Sequence, residues 1–367
     1  MKNQKLNFKN LNLILIFILP ITFLAFGIKK QNELHEKLMI QGIGIDFDNE
    51  NYNLTVQAYD YKNPEDKNEP KNRLIECSGK TVSEALENLK KITGLYPLYS
   101  QNKIVVFGSE VAKKGLNKII DFFSRYYENR PSVKLRVAKD KASDIMKFEV
   151  EKKIIKSTEI RDLVNEKNDT NILDFEKELK TKISDPTLMV IEKSENKNLQ
   201  CECASIFYDD KMVKILDKDE TLALQVLKNA SNIGVYTFFI DDRKISCKIE
   251  NANSKIKVKL ENENPHFDIN IKISANILES EKKFEDIKSL ETEVKNTLDE
   301  NIKNNCEKVI SNTISQGIDL FKFGKILRNK IPNYFKLVEN DWKTNEINKI
   351  NFDIKVNSKI SMVGTDI

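Results

Sequence analysis

Lys37 to Asp48, KLMIQGIGIDFD, is followed across Asn49-Glu50-Asn51 by Tyr52 to Tyr59, YNLTVQAY. Two runs rich in β-branched and aromatic residues, joined by a short polar stretch, predict a β-hairpin. Tyr52, Leu54, Val56 and Ala58 then share one face, because side chains alternate along a strand. Gly42-Ile43-Gly44 falls inside the first run, but Phe47 stands where a dinucleotide-binding loop needs its third glycine, and no helix opens there. These glycines read as strand positions that another part of the chain approaches closely.

Downstream, Lys62 to Lys71 reads as a polar loop with two prolines. Ser78-Gly79-Lys80-Thr81 resembles the end of a phosphate loop, yet Leu74 occupies the place of its earlier glycine. Thr81 instead predicts a helix cap with Glu84 completing a capping box, and Val82, Ala85, Leu86, Leu89 and Ile92 form the apolar stripe. Lys103 to Phe107 predicts a buried strand, the stripe Leu116, Ile119, Ile120, Phe123 and Tyr127 a second helix, Val133 to Val137 a strand, and Lys141 to Phe148 a further helical piece. Residues 31–150 thus form a first α+β domain.

The charged stretch from Glu149 to Leu199 carries helical pieces at Ser157 to Val164 and Leu173 to Leu179 and a strand at Leu188 to Glu192. A strand pair follows at Cys203 to Tyr208 and Met212 to Ile215 around Asp209-Asp210, then a helix from Asp219 to Asn229, giving a middle domain over 151–243. Val235 to Ile240, Lys244 to Ile249, Lys255 to Leu260 and Phe267 to Ile277 predict an antiparallel meander. From about Glu281 to Gln316, Ile287, Leu290, Val294, Leu298, Ile302, Cys306, Val309, Ile310 and Thr313 recur every three or four residues, one apolar seam on a long helix that Gly317 ends. At ~1.5 Å per residue this helix would reach roughly 54 Å, so it must bend or protrude, and the strands at 244–277 and 346–362 are the sheet available to cover it. A helix from Leu320 to Asn329, the single Trp342 and a strictly alternating strand through Ile350, Phe352, Ile354 and Val356 complete a C-terminal domain over 244–367. The expected fold is α+β: three consecutive domains, each a mostly antiparallel or mixed sheet packed with helices, after an N-terminal hydrophobic segment over 1–30.

That segment, Leu11 to Ile28 (LNLILIFILPITFLAFGI), follows Lys2, Lys5 and Lys9 with no acidic residue before it, which favours a cytoplasmic N-terminus and an exported body. Its length, roughly 27 Å as a helix, falls slightly short of a ~30 Å hydrocarbon core, and Pro20 interrupts it. A retained anchor, a cleaved signal peptide ending near Ala25-Phe26-Gly27, and a buried helix all remain open. Lipidation in this segment is excluded, since the first cysteine is Cys77.

The chain has 367 residues, with 60 basic and 56 acidic side chains mixed along it, a pattern that does not point to nucleic acid. Five scattered cysteines (Cys77, Cys201, Cys203, Cys247, Cys306) do not form a disulfide framework, and alternation would put Cys201 and Cys203 on one side of a strand. His35 and His266 are the only histidines, too few for a metal site built with those thiols. His266 reads as a surface residue, and the pairs Asp46/Asp48 and Asp209/Asp210 as turn formers. No catalytic, cofactor-binding or metal-binding residue is assigned, so the chain reads as no enzyme and as needing no cofactor.

Several stretches in order carry a family resemblance: QGIGIDFD with YNLTVQ, GKTVSEALENLKKITG, KIVVFGSEVAKKGLNKIIDFFSRYYENRPSVKLRVAKDKASDIM, ASIFYDDKMVKILDKDETLALQVLKN, and ISQGIDLFKFGKILRNKIPNYFK with Trp342 and the final strand to Gly364. Together they resemble the Ger(x)C family, the C subunit of nutrient germinant receptors of spore-forming bacteria. The resemblance implies a three-domain, non-catalytic protein on the outer face of the inner spore membrane, working with integral-membrane A and B subunits. Counting back from Gly42, the family's lipid-accepting cysteine falls at Ile28, so Leu11 to Ile28 would itself have to hold the membrane. The alternative is a surface-anchored enzyme or solute-binding protein acting alone, with its ligand in a cleft between domains.

Overall fold

The computed structural model describes residues 36–60, 71–125, 130–150, 153–164, 169–196, 198–280 and 287–362. Leu11 to Ile28 and the expected loop at 62–70 lie outside the described residues. The hairpin forms as read: β1 (Lys37–Asp48) pairs antiparallel with β2 (Asn51–Asp60). Asn49 and Glu50 take positive φ of 48° and 62°, the left-handed pair of a two-residue turn whose twist matches that of the strands. β3 (Lys71–Gly79) extends this meander. In α1 (Val82–Thr93), Thr81 Oγ1 accepts the Glu84 N–H, while Glu84 reaches back to the Lys80 N–H, one residue before the cap. Val82, Ala85, Leu86 and Leu89 are buried as expected, but Ile92 is 61% exposed, because the buried stripe ends one turn before the helix does.

The chain continues through β4 (Tyr96–Leu98), β5 (Ile104–Phe107), the short helix α2 (Ser109–Lys114), α3 (Asn117–Arg125), β6 (Lys134–Ala138), α4 (Ala142–Met146), the small hairpin β7 (Glu149–Val150) and β8 (Lys153–Ile154), α5 (Ser157–Asp162), α6 (Ile172–Thr181), β9 (Thr187–Lys193), β10 (Leu199–Tyr208) and β11 (Lys211–Ile215). Their sheet runs β11-β10-β9-β6-β5-β1-β2-β3, with β4 beside the start of β1. β1, β5, β6 and β9 are mutually parallel and form its centre. Helices α1, α2, α3 and α6 bury one face of the sheet, and α4 and α5 the other. The second face explains the strand glycines. A Cβ at Gly42 would lie 2.2 Å from Ser157 Oγ at the start of α5, and one at Gly44 would lie 2.7 Å from Met146 Cγ at the end of α4. A boundary at residue 150 therefore falls within one hydrogen-bonded sheet, since β6 and β9 pair across it.

After α7 (Lys218–Leu227) comes a second sheet, β12 (Ser231–Ile240), β13 (Arg243–Glu261), β14 (Asn264–Ser280) and β15 (Asn351–Met362), ordered as numbered. The first three strands are antiparallel, and β15 runs parallel to β14. Since β12 belongs to this sheet, the unit starts before residue 243. The two strands expected at 244–249 and 255–260 are one: the intervening residues keep the alternation, with Ala252 and Ser254 buried and Asn251 and Asn253 exposed, and β-bulges absorb the irregularity.

α8 (Ile287–Ile314) has 28 described residues, about 42 Å by ~1.5 Å per residue, and its seam of Leu290, Val294, Leu298, Ile302, Cys306, Val309 and Ile310 is buried. It lies against the second sheet and α7, and Asp299 Oδ1 accepts the Ser358 N–H of β15 at 2.8 Å. α9 (Phe323–Lys330) and α10 (Pro332–Val338, with Pro332 in its first turn) close the end of this body. One apolar core runs from β10 through α7 into the second sheet, so both sheets share buried contacts.

Leu298 is fully buried at the middle of this seam. Leu298→Ala should cost about 2–5 kcal/mol for lost contacts and the cavity. Leu298→Asp should cost more, by adding an unpaired buried carboxylate. Urea unfolding followed by circular dichroism measures both, and an Asp variant as stable as wild type would mean the seam is not packed.

Candidate functional site

The most specific polar arrangement lies where the two sheets meet. The turn after α8 ends on Gly317, whose φ of +74° favours glycine and where a Cβ would lie 2.2 Å from the Lys343 carbonyl oxygen. Two residues on, Asp319 is fully buried. Its Oδ1 accepts the Phe323 N–H at 2.9 Å, and its Oδ2 accepts the Gly324 N–H at 2.8 Å and the indole N–H of Trp342 at 3.1 Å. Asp319 thus caps α9, a task that Lys322, immediately before the helix, cannot do. Gly324 is required for the same reason, since a Cβ there would lie 2.6 Å from Trp342 Nε1.

Asp185, in the loop between α6 and β9, joins this cap to the first sheet. The Asp185 N–H donates to the Asp319 carbonyl, and the Asp319 N–H donates to Asp185 Oδ2, both at 2.9 Å. Asp185 Oδ1 also accepts the Asp209 N–H at 2.9 Å and the Lys343 ammonium at 2.7 Å. Lys343 bridges onward to Asp209 Oδ1 at 2.5 Å and lies 4.1 Å from the centre of the Tyr208 ring. At the other end of the turn, Asp210 holds the first body: its Oδ2 accepts the Asn117 N–H and its carbonyl accepts the Leu116 N–H. The turn formers Asp209 and Asp210 therefore fasten the β10–β11 turn from both sides.

Burial dominates the electrostatics. Asp319 is pushed up to about 6, despite three donors, and Asp185 is also raised by burial, which outweighs the Lys343 charge beside it. Burial works to lower Lys343, but the Asp185 and Asp209 carboxylates hold it above its ordinary value.

Beside this junction a cleft of about 560 Å³ opens between the two bodies, walled by residues that include Asp185, Thr187, Lys228, Ser254, Phe321 and Lys325. Sequence reasoning did not find it, because its wall comes from α6, α7, β13 and α9, distant in the chain. The signal available was Ser254 continuing the alternation of the strand at Lys255 to Leu260 back into residues expected to form a turn.

The other residues singled out are placed as follows. Asp46 Oδ1 and Oδ2 accept the Ala142 and Ser143 N–H groups, tying β1 to α4, and Asp48 ends β1 at the hairpin turn. Cys201 and Cys203 do not share a side: the β-bulge between Gln200 and Cys203 inserts one extra residue, so Cys201 packs with the cores toward α5 and the second sheet and Cys203 with the opposite face. Burial pushes the Cys201 and Cys306 thiols up to about 12 and those of Cys77 and Cys247 to about 11, the reverse of what a nucleophile needs. His266 is 12% exposed rather than a surface residue, with Glu261 near Nδ1 and Asp353 near Nε2, each at 3.2 Å. Its Nε2 and oxygens of Asp268 and Asp353 lie within 4.8 Å of one another, the one grouping among the described residues able to hold a metal ion. Arg136, fully buried and paired with Asp169, was also missed, although an arginine at the centre of the strand KLRVA was a visible sign.

A large mixed sheet and a small one, joined through buried carboxylates beside a polar cleft, define a two-body α+β protein. The chain belongs to the Ger(x)C family of spore germination proteins: residues 30–193 match the spore germination protein N-terminal domain, and residues 202–364 match the spore germination B3/GerAC-like C-terminal domain. It is 27% identical over 164 residues to the putative spore germination protein YfkR of Bacillus subtilis (strain 168), a match spanning 42% of this chain and 43% of that one. The crystal structure of the GerBC protein has the same fold, with a TM-score of 0.59 over 87% of this chain and 96% of that one, at 19% identity.

The raised Asp319 pKa has a definite sign. The folded protein keeps the proton to about pH 6 and the unfolded chain only to about 3.8, so Asp319 contributes stability that is full below 3.8 and lost as pH rises through 6. Asp319→Asn removes this linkage and sets an amide N–H against a donor, costing about 1–3 kcal/mol at neutral pH. The gap between wild type and variant should widen at pH 4.5 by on the order of 2 kcal/mol, read from urea unfolding at both pH values. A gap that does not change with pH would show that Asp319 titrates normally.

Proposed function

We propose that this chain is the non-catalytic, extracytoplasmic subunit of a spore nutrient germinant receptor, acting through contacts with membrane-embedded A and B partner subunits. The observation that carries this reading is the succession of both germination-family domains, in order, across residues 30–364. The chemistry of the described interior supports it: the conspicuous carboxylates serve as caps and clamps, and the thiols are held protonated. Among the described residues no helix is long and apolar enough to cross a membrane. Membrane attachment is assigned to the apolar run Leu11 to Ile28, unless that run is cleaved as a signal. Lys2, Lys5 and Lys9 support export of the body to the outer face of the inner spore membrane.

In this reading the protein shifts the conformation of its partners only as far as its affinities for their two states differ. A joint that fixes one sheet body against the other lets a contact on either be felt by both. The test is a strain lacking this chain, whose spores are given a panel of nutrients and, separately, a nutrient-independent trigger. The expected outcome is loss of response to one nutrient class with the independent trigger intact. Full response to every nutrient that wild-type spores sense would sink the receptor assignment.

A further inference from the structure

The cleft between the bodies holds cations without a carboxylate at ion-pair distance among the described residues. Lys228, Lys322 and Lys325 line it. Lys322 is committed to Glu178. Among the described residues, Lys228 and Lys325 have no carboxylate at ion-pair distance, and the Lys228 ammonium donates to Thr187 Oγ1 at 2.7 Å. Lys228 is exposed as a residue, yet its ammonium is crowded by protein, and this burial pushes its pKa down to about 8, with Lys322 adding to the effect and Glu178 opposing it.

All but one of the acidic groups lining the cleft are paired. Asp169 pairs with Arg136 and Lys134, Asp185 with Lys343, and Glu178 with Lys322. Asp174 remains, an exposed residue in the first turn of α6. Ser254, which also lines the cleft, is 9% exposed, and its Oγ has no hydrogen-bond partner among the described residues. Its backbone N–H is already held by Asn229 Oδ1. A partnerless buried hydroxyl is costly, and an ammonium without a nearby counter-ion adds to that. Both penalties are relieved by one kind of visitor, an oxyanion. The cleft volume of about 560 Å³ is that of a small-molecule site.

The geometry points to this cleft as a binding site for a small soluble anion with a carboxylate or phosphate head, held by Lys228 and Lys325 as charge partners and by Ser254 Oγ as hydroxyl donor. The site goes beyond the receptor reading and does not rest on it, because binding is measured on the purified chain without partners or spores.

The full-length chain in detergent is titrated with sodium phosphate and with sodium succinate, with sodium chloride at matched ionic strength as control, following thermal unfolding and titration heat. At least one of the two oxyanions should raise the midpoint in a saturable way while chloride does not. Lys228→Gln and Lys325→Gln should each weaken that binding about tenfold or more. Ser254→Ala keeps the variant folded, because it removes a hydroxyl without a partner: the anion-free midpoint should stay or rise while the anion-dependent increase shrinks. An increase no larger than that of chloride, or one that survives Lys228→Gln combined with Lys325→Gln, would overturn the assignment.

Discussion

The reciprocal bond between Asp185 and Asp319 is the constraint on which the arrangement of the two bodies depends. Each residue donates its own N–H to the other, one to a carbonyl and one to a carboxylate, and each carboxylate then organises its own side. Asp319 caps α9 and holds Trp342, while Asp185 gathers Asp209 and Lys343. The joint is expensive, since two carboxylates are taken out of water close together, and it persists because six donors converge on them. Deleting either acid would leave buried N–H groups with nothing to bond, so the joint is more damaging to break than its net stabilisation would indicate. Apolar packing through α7 adds area to the joint, but the carboxylates fix its geometry.

Much of the architecture was legible because it rests on local rules. The hairpin at Asn49-Glu50, the Thr81 cap, the buried IVVF strand and the seam of α8 all follow from turn chemistry or from periods of two and three to four residues. The mixed α+β class followed from their succession. What escaped reading depends on partners far away in the chain. One extra residue in the β10 bulge reversed the facing of Cys203 relative to Cys201, and no periodicity announces such an insertion. The polar run from Glu250 to Ser254 resembled a turn, but strand pairing on both sides carried β13 straight through it.

The candidate site was less legible than the fold. Asp319, Asp185 and Lys343 are ordinary polar residues in loops, and only their convergence makes them unusual. Gly317 and Gly324 hint at it: the first was read as a helix stop, yet both are also where a backbone or an indole needs the room a Cβ would fill. The same holds for the cleft. Lys228 and Lys325 are two among 60 basic side chains, indistinguishable in a lysine-rich chain until the fold brings them to one cleft.

Trp342 is the single tryptophan, fully buried, and its indole donates to the carboxylate at the centre of the joint. The tryptophan fluorescence of the whole protein consequently originates at one point, where the second body is clamped to the first. Protonation of Asp319, loosening of the clamp and separation of the bodies all alter the polarity around that one ring. The molecule carries its own optical gauge of inter-body geometry, needing no label and undisturbed by emission from any other indole.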